Sequence, residues 1–491
     1  MEVTPYVWAS VEEFVNRSSE LARMDAWWKA TTRQPLAILG RRRVGKSWLF
    51  RRFAHHKPAV VLVAEQLPVA TQLARFAEVL EPVLGFRPAL SGVGDLIKVL
   101  YRAGTENELL VVIDEFPYLL GSSAAEVAES SSAVQAAMEN ERDGSLLKLV
   151  VCGSQVSQME AMFGEHNPLH GRLERLEVRP LSFTESSGML MDLTDPIERF
   201  ERYCISGGMP MYLARLGSGP LRDAVCANVL DRFAPLWNEG RVLVEQELRE
   251  PRVYLAILER LAAGPQEVNE LAQHAGLDTK RASKYLSVLT ELRLVSRSVP
   301  IGAGIGSRDG RWQLDDSFLR FWFRFVFVHQ GDLEGGLDAG GLFDALVAPE
   351  IADHCAPVFE QWAHGWLRTN RAGTAINWGR WWGNAANIYR RDKTRTTEEI
   401  DVVGLLRNQV TAVAECKWTN KQLTPSIVSD VDTYKIPALR DAGLNVVKDP
   451  RIILMCRSGY SDSLVELAAN DERIELVDVR AALSTQSSVG N

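Results

Sequence analysis

The stretch GRRRVGKS, from Gly40 to Ser47, limits the possible folds more than any other part of the chain. It follows the apolar run LAIL (Leu36–Leu39) and precedes a helical pattern, WLFRRF. A glycine, four residues and then Gly-Lys-Ser between a strand and a helix lets backbone N–H groups wrap an anion at the helix N-terminus. Gly40 and Gly45 supply the backbone freedom. Lys46 would reach β- and γ-phosphates, and the Ser47 hydroxyl would hold Mg²⁺. Further apolar runs, VVLVA (Val60–Ala64), LLVVI (Leu109–Ile113) and LLKLVVC (Leu146–Cys152), alternate with amphipathic stretches. That alternation predicts a parallel sheet covered on both faces.

The third run continues as LLVVIDEFPYL, which places Asp114 and Glu115 at the carboxyl end of a strand, where α/β sheets bind ligands. Asp114 is expected to hold Mg²⁺ through water, and Glu115 to act as base or to orient the attacking water. The expectation is ATP binding with hydrolysis, with ATP and Mg²⁺ as ligands.

Composition limits the partners. The 491 residues carry 55 lysines and arginines against 63 acids, a formal net charge of −8. A uniformly basic coat is excluded, so any nucleic-acid contact must come from local patches. The 6 cysteines form no CxxC pair and sit mostly in apolar runs, as reduced core thiols would. The N-terminal MEVTPYVWASVEEF lacks a basic start and an apolar core, and no apolar run approaches the roughly 18–20 residues that span a bilayer. The expectation is a cytoplasmic protein with no membrane partner.

Six motifs, FVNRSSEL (Phe14–Leu21), GRRRVGKS, IDEFPYL, VVCGSQ, PLHGRL and GGMPMYL, occur in the order that resembles the archaeal-type ATPases of the STAND class of AAA-related P-loop proteins. The resemblance spans roughly residues 10–235. It implies that Phe14 to Arg17 lie near the adenine, and that Ser154 and Gln155 sense the γ-phosphate. It also implies that Gly208-Met209-Pro210 is the GxP element of a helical lid, whose proline packs on the adenine. Arg172 would sense or neutralise phosphate charge. The family usually has glycine where Asn16 stands. Each residue also has a plainer reading: Ser154 as a helix cap, Arg172 as a surface ion pair, Pro210 as a helix start.

Beyond the lid, helical patterns run from Arg252 to Ala263, from Val268 to Ala275, and from a cap at Asp278 or Thr279 to Leu292. A strand LRLVSRSVPI, a glycine-rich tip GAGIGSRDG and a returning strand RWQLDD follow. Three helices and a hairpin predict a winged helix-turn-helix, with Lys280, Arg281, Ser283 and Lys284 on the open face of the third helix. Between Arg252 and Arg297 there are 7 basic and 5 acidic residues, so DNA contact and a protein-contact role both stand. The glycine-rich His329–Leu342 is the best linker candidate.

Near the C-terminus, EEIDVVGLLRNQVTAVAECKW reads as a hairpin turning at Arg407-Asn408-Gln409. Period two puts Glu399, Asp401 and Val403 on one face, and Val413, Glu415 and Lys417 on one face of the partner strand. Asp401, Glu415 and Lys417 can converge. Two carboxylates with the Cys416 carbonyl suit Mg²⁺, beside a lysine that can orient or deprotonate water for attack on a phosphodiester. This arrangement resembles the PD-(D/E)XK nuclease core, with Ile400 where the nominal proline would be. The resemblance implies that Glu360, on the preceding helix, is an extra acid near the metal. Together with DDSFLRFWFRFV (Asp315–Val326), the hairpin resembles the nuclease-like domain of unknown function fused to many archaeal-type ATPases. Arg368, Arg371, Arg380, Arg390, Arg391, Lys393 and Arg395 interleave with Trp378, Trp381 and Trp382. They read either as phosphate contacts with stacking platforms or as loop arginines around core tryptophans.

The expected architecture is therefore α/β and multidomain. A P-loop NTPase core (1–190) with a helical lid (191–245) precedes a winged helix-turn-helix (250–316), a helical linker (317–345) and a PD-(D/E)XK-like α/β domain (346–482). The expected function is a STAND-type ATPase acting on DNA, with a homo-oligomer possible on nucleotide binding. The alternative is an ATP-dependent signalling switch or transcription regulator with an inactive nuclease-like scaffold.

Overall fold

The structure is a computed structural model, and it describes residues 5–31, 34–248, 250–304, 306–391 and 394–485. The chain divides into two compact units, residues 1–181 with Met209–Met211, and residues 182–208 with 212–491.

In the first unit the apolar runs form the sheet that their composition predicts. The strands are β1 (Leu36–Leu39), β2 (Ala59–Val63), β3 (Leu109–Asp114), β4 (Leu147–Gly153) and β5 (Glu174–Glu177). They lie in the order β2-β3-β4-β1-β5, all parallel. Every residue of β1, β3 and β4 is buried, as strands covered on both faces require. β5, with the sequence ERLE, is an edge strand with one buried residue, Leu176. Its alternating charges explain why hydropathy does not announce it. Because β1 lies inside the sheet beside β4, the loops after β1, β3 and β4 open at the same carboxyl edge.

The second unit contains three helices, Pro251–Ala262, Val268–His274 and Thr279–Glu291, followed by the antiparallel pair β6 (Val295–Ser298) and β7 (Arg311–Leu314). Ala282, Leu286 and Leu289 bury one stripe of the third helix, and the Asp278 side chain caps its start. The glycine-rich segment read as a linker is folded. Helices Gln330–Glu334 and Ala339–Leu342 bury Leu333 and Leu342, and Arg222 pairs with Asp344 at 2.8 Å. Leu333 and Leu342 give the segment enough to pack despite its glycines, while Leu337 stays exposed.

A second sheet is built from β8 (Asn377–Asn384), β9 (Thr397–Leu406), β10 (Gln409–Lys417), β11 (Asn445–Cys456) and β12 (Ile474–Val477). Its order is β12-β11-β10-β9-β8. β8, β9 and β10 pair antiparallel, whereas β10, β11 and β12 pair parallel. The β9–β10 turn uses Arg407 at φ 51° and Asn408 at φ 63°, the left-handed pair of a two-residue hairpin. The helix Ala348–Asn370 packs on one face with Val402, Ala414 and Cys416. Val428, Val431 and Leu439 pack on the other with Ile400, Val403 and Val413.

Among the described residues no helix is long and apolar enough to cross a membrane. All six cysteines are free, and five are buried.

Candidate functional sites

The loop between β1 and the helix Lys46–Ala54 fits only its own sequence. A Cβ at Gly40 would lie 2.5 Å from the Val178 carbonyl oxygen, and Gly45 has φ 95°. The Lys46 ammonium is almost fully buried and donates to the carbonyls of Gly40 at 2.6 Å and Arg41 at 3.0 Å. Ser47 Oγ donates to Asp114 Oδ2 at 3.0 Å, joining the loop to the end of β3. Burial, with the neighbouring Glu115 charge, pushes the Asp114 carboxyl above its ordinary range. A hydroxyl and a carboxylate in contact at a strand end form a donor set that fits Mg²⁺.

Glu115 is held in the left-handed region at φ 53°, and its Oε2 accepts the Ser154 N–H at 3.0 Å. The expected base and the expected sensor are therefore in direct contact. Ser154 is 2% exposed, and its Oγ is buried without a hydrogen-bond partner among the described residues. An orphaned buried hydroxyl at this edge fits a phosphate oxygen. Gln155 Nε2 donates to Tyr118 Oη at 3.3 Å.

Pro210 comes to the loop, its Cγ 3.7 Å from where a Gly45 Cβ would be. Arg43 Nη1 reaches Met211 Sδ at 3.1 Å. Asn16 has φ 61°, a left-handed conformation that asparagine tolerates. Arg17 lies beneath the loop, 4% exposed, and donates to the carbonyls of Val44 and Arg179, each at 2.7 Å. It braces the loop backbone. Phe14 meets Trp8 edge-on at 6.2 Å, and Trp8 meets Trp48 at 4.9 Å. Trp8 and Trp48 were not anticipated; Trp48, directly after Ser47, was the available signal. Arg172 goes elsewhere, to Glu139 with Nε at 3.0 Å from Oε1.

On the second sheet Asp401, Glu415 and Lys417 do converge, though strict alternation does not bring them there. Gly379 lies opposite Val403 and Trp381 opposite Ile400, so two steps on β8 face three on β9. The extra residue is a β-bulge. It puts Ile400 and Val403 into one core and Val402 into the other, so the single face expected for Glu399, Asp401 and Val403 does not exist. Asp401 Oδ2 accepts the Cys416 N–H at 2.8 Å and the Lys417 ammonium at 2.6 Å. That ammonium also lies 2.9 Å from Glu415 Oε2. Burial works against the Lys417 charge, but Glu415 and Asp401 outweigh it and raise its pKa. Glu415 is fully buried, and burial followed by the Asp401 charge pushes its carboxyl up.

Lys435 is the residue that sequence reasoning missed. Its ammonium donates to Glu415 Oε1 at 2.6 Å and to the Glu399 carbonyl at 2.9 Å. Glu360 is paired with Arg380 at 3.2 Å, and burial followed by the Asp401 charge pushes its pKa up to about 7. Among the described residues no group of three or more histidines, cysteines, aspartates or glutamates is arranged to hold a metal ion. Two carboxylates nevertheless already surround one cation, the Lys417 ammonium. A divalent ion at Asp401 and Glu415 would have to displace the Lys417 ammonium.

The tryptophans do not form exposed platforms. Trp378, Trp381 and Trp382 are 2%, 3% and 6% exposed and fill the core, as large apolar rings on a two-faced sheet do. Arg371 pairs with Glu475 and Arg395 with Asp430, while Arg368, Arg390 and Arg391 are exposed. Lys393 lies outside the described residues.

The parallel sheet, the loop after β1 and the acids after β3 define a P-loop NTPase-like α/β domain. Residues 32–187 match the AAA domain family, and residues 322–433 match a family described as "Archaea bacterial proteins of unknown function". An uncharacterized protein of Methanocaldococcus jannaschii is 25% identical over 415 residues, covering 82% of this chain and 87% of the relative. The Walker-type ATPase of Pyrococcus abyssi is similar in structure, with a TM-score of 0.50 and 18% identity over 66% of this chain and 99% of that one. The Aeropyrum pernix ORC2 protein matches with a TM-score of 0.42 and 14% identity over 67% of this chain and 98% of that one.

Proposed function

We propose that the chain is a STAND-type, ATP-hydrolysing switch that governs a metal-dependent nucleic-acid-cleaving site at its C-terminus. In this reading Lys46 binds the β- and γ-phosphates, Ser47 and Asp114 hold Mg²⁺, and Glu115 orients water. Ser154 reports the γ-phosphate, and Pro210 closes on the nucleotide as part of a helical lid. The contact between Ser47 and Asp114 at 3.0 Å and the orphaned Ser154 hydroxyl support it. Residues 251–314 serve as a winged helix-turn-helix, with Lys280, Arg281 and Lys284 offered to DNA.

The cleavage assignment is carried by one observation, the Lys417 ammonium within ion-pair reach of both Asp401 and Glu415. A divalent ion bound by Asp401 and Glu415 would supply charge stabilisation at a phosphodiester. Lys417 would orient water, and Glu360 would share or release a proton near neutrality. The alternative, a switch with an inert scaffold, draws on the burial of Glu415 and its engagement by both Lys417 and Lys435. Incubating plasmid and single-stranded DNA with Mg²⁺ or Mn²⁺ separates the two. Cleavage lost in Asp401→Ala supports the first. Intact DNA with both proteins leaves the scaffold.

A further inference from the structure

A cavity of about 480 Å³ joins the Asp401 site to the three-helix-and-hairpin segment. Glu360, Arg380 and Asp401 line one side, and Gly264, Pro265 and Asp315 line another. Its remaining charged lining is Arg320, Arg324 and Asp353. Arg380 is engaged by Glu360 and Glu399, and Arg324 by Glu350 at 2.8 Å. Asp315 accepts from Ser296 at 2.9 Å, and Asp353 is exposed.

Arg320 differs from the other two arginines. Among the described residues it makes no ion pair. Its Nη2 donates to the His354 carbonyl at 3.1 Å, and its Nε is buried without a hydrogen-bond partner. Arg320 is half-buried, and the Asp315 and Asp316 charges act on it without forming an ion pair, so part of its hydrogen-bonding fork is left unfilled. Its planar fork matches a phosphate group. Burial also pulls its pKa below the ordinary arginine value, an effect that an arriving anion would reverse. The cavity volume falls within the roughly 300–1,000 Å³ that encloses a small ligand. It suits one or two nucleotides and not the full width of a duplex.

We propose that Arg320 binds a backbone phosphate of a single-stranded nucleic-acid segment seated in this cavity beside Asp401 and Glu360. The choice of nucleic acid rests on the reading of Asp401 as part of a cleavage site. The anion subsite rests on the geometry of Arg320 itself.

Fluorescence anisotropy with labelled oligothymidylate and the full chain, without divalent metal, tests it. Arg320→Gln is expected to weaken binding about tenfold and to lower the slope of log K against log salt by about 0.7, the share of one single-strand phosphate. Arg320→Lys should recover most of that slope, and Asp401→Ala should bind at least as tightly as the wild type. If Arg320→Gln melts before binding can be read, Asp353→Asn removes an exposed negative charge from the same cavity and should tighten binding about threefold. An unchanged slope in folded Arg320→Gln, or no tightening in Asp353→Asn, overturns the subsite. Arg320-dependent binding by a protein that cleaves nothing overturns only the cleavage reading.

Discussion

In the loop after β1, the Lys46 ammonium rests on the carbonyls of Gly40 and Arg41, and the Ser154 hydroxyl nearby is buried without a partner. On the second sheet, Lys417 and Lys435 are bound to carboxylates, and Glu415 meets both. One site holds its ammonium on backbone carbonyls within the field of the Asp114 carboxyl, where an arriving phosphate can bind. The other balances its charges internally, so that a cation must compete with resident ammonium groups. The two sites should therefore respond to substitution in opposite ways, one in activity and the other in stability.

The largest expected effect is in the first site. Lys46→Ala should reduce ATP turnover by about 10²–10³-fold in a phosphate-release assay, with the melting temperature nearly unchanged. Next is Lys435→Met, which leaves Glu415 buried without its closer cation. Breaking a buried pair in this way costs about 3–5 kcal/mol by chemical denaturation. The double variant Lys435→Met with Glu415→Leu should recover most of that loss, because an apolar pair can replace an ionic one. A Lys435→Met protein as stable as the wild type would remove the contrast between the sites.

Smaller effects sharpen the comparison. Ser154→Ala should slow ATP turnover about tenfold while changing stability by less than about 0.5 kcal/mol, since its hydroxyl has no internal partner to lose. Arg172→Ala removes a solvent-screened pair with Glu139 and should leave the melting temperature nearly unchanged. Wild-type turnover in that variant would assign Arg172 to the surface; a large loss would return it to the nucleotide.

The parallel sheet was legible because buried strands must be apolar throughout, and the boundaries of β1 to β4 lie within a residue of the runs that announce them. β5 escaped because an edge strand can carry ERLE. The convergence of Asp401, Glu415 and Lys417 was legible from spacing, but the bulge opposite Arg380 was not, since nothing local in the sequence marks it. Lys435 did leave a signal. It falls four residues after the buried Val431 and four before the buried Leu439, a lysine in an apolar helical stripe. The tryptophans were ambiguous because the same residue serves as core or platform, and only their burial on β8 decides it.

The central claim is that the loop around Lys46 controls the site around Asp401. The most direct test is metal-dependent nicking of DNA, with and without ATP, by the wild type, Lys46→Ala and Asp401→Ala. The account predicts ATP-responsive cleavage by the wild type, cleavage that no longer responds to ATP in Lys46→Ala, and none in Asp401→Ala despite normal ATP turnover. Cleavage by Asp401→Ala at the wild-type rate, or an unaltered ATP response in Lys46→Ala, would contradict it.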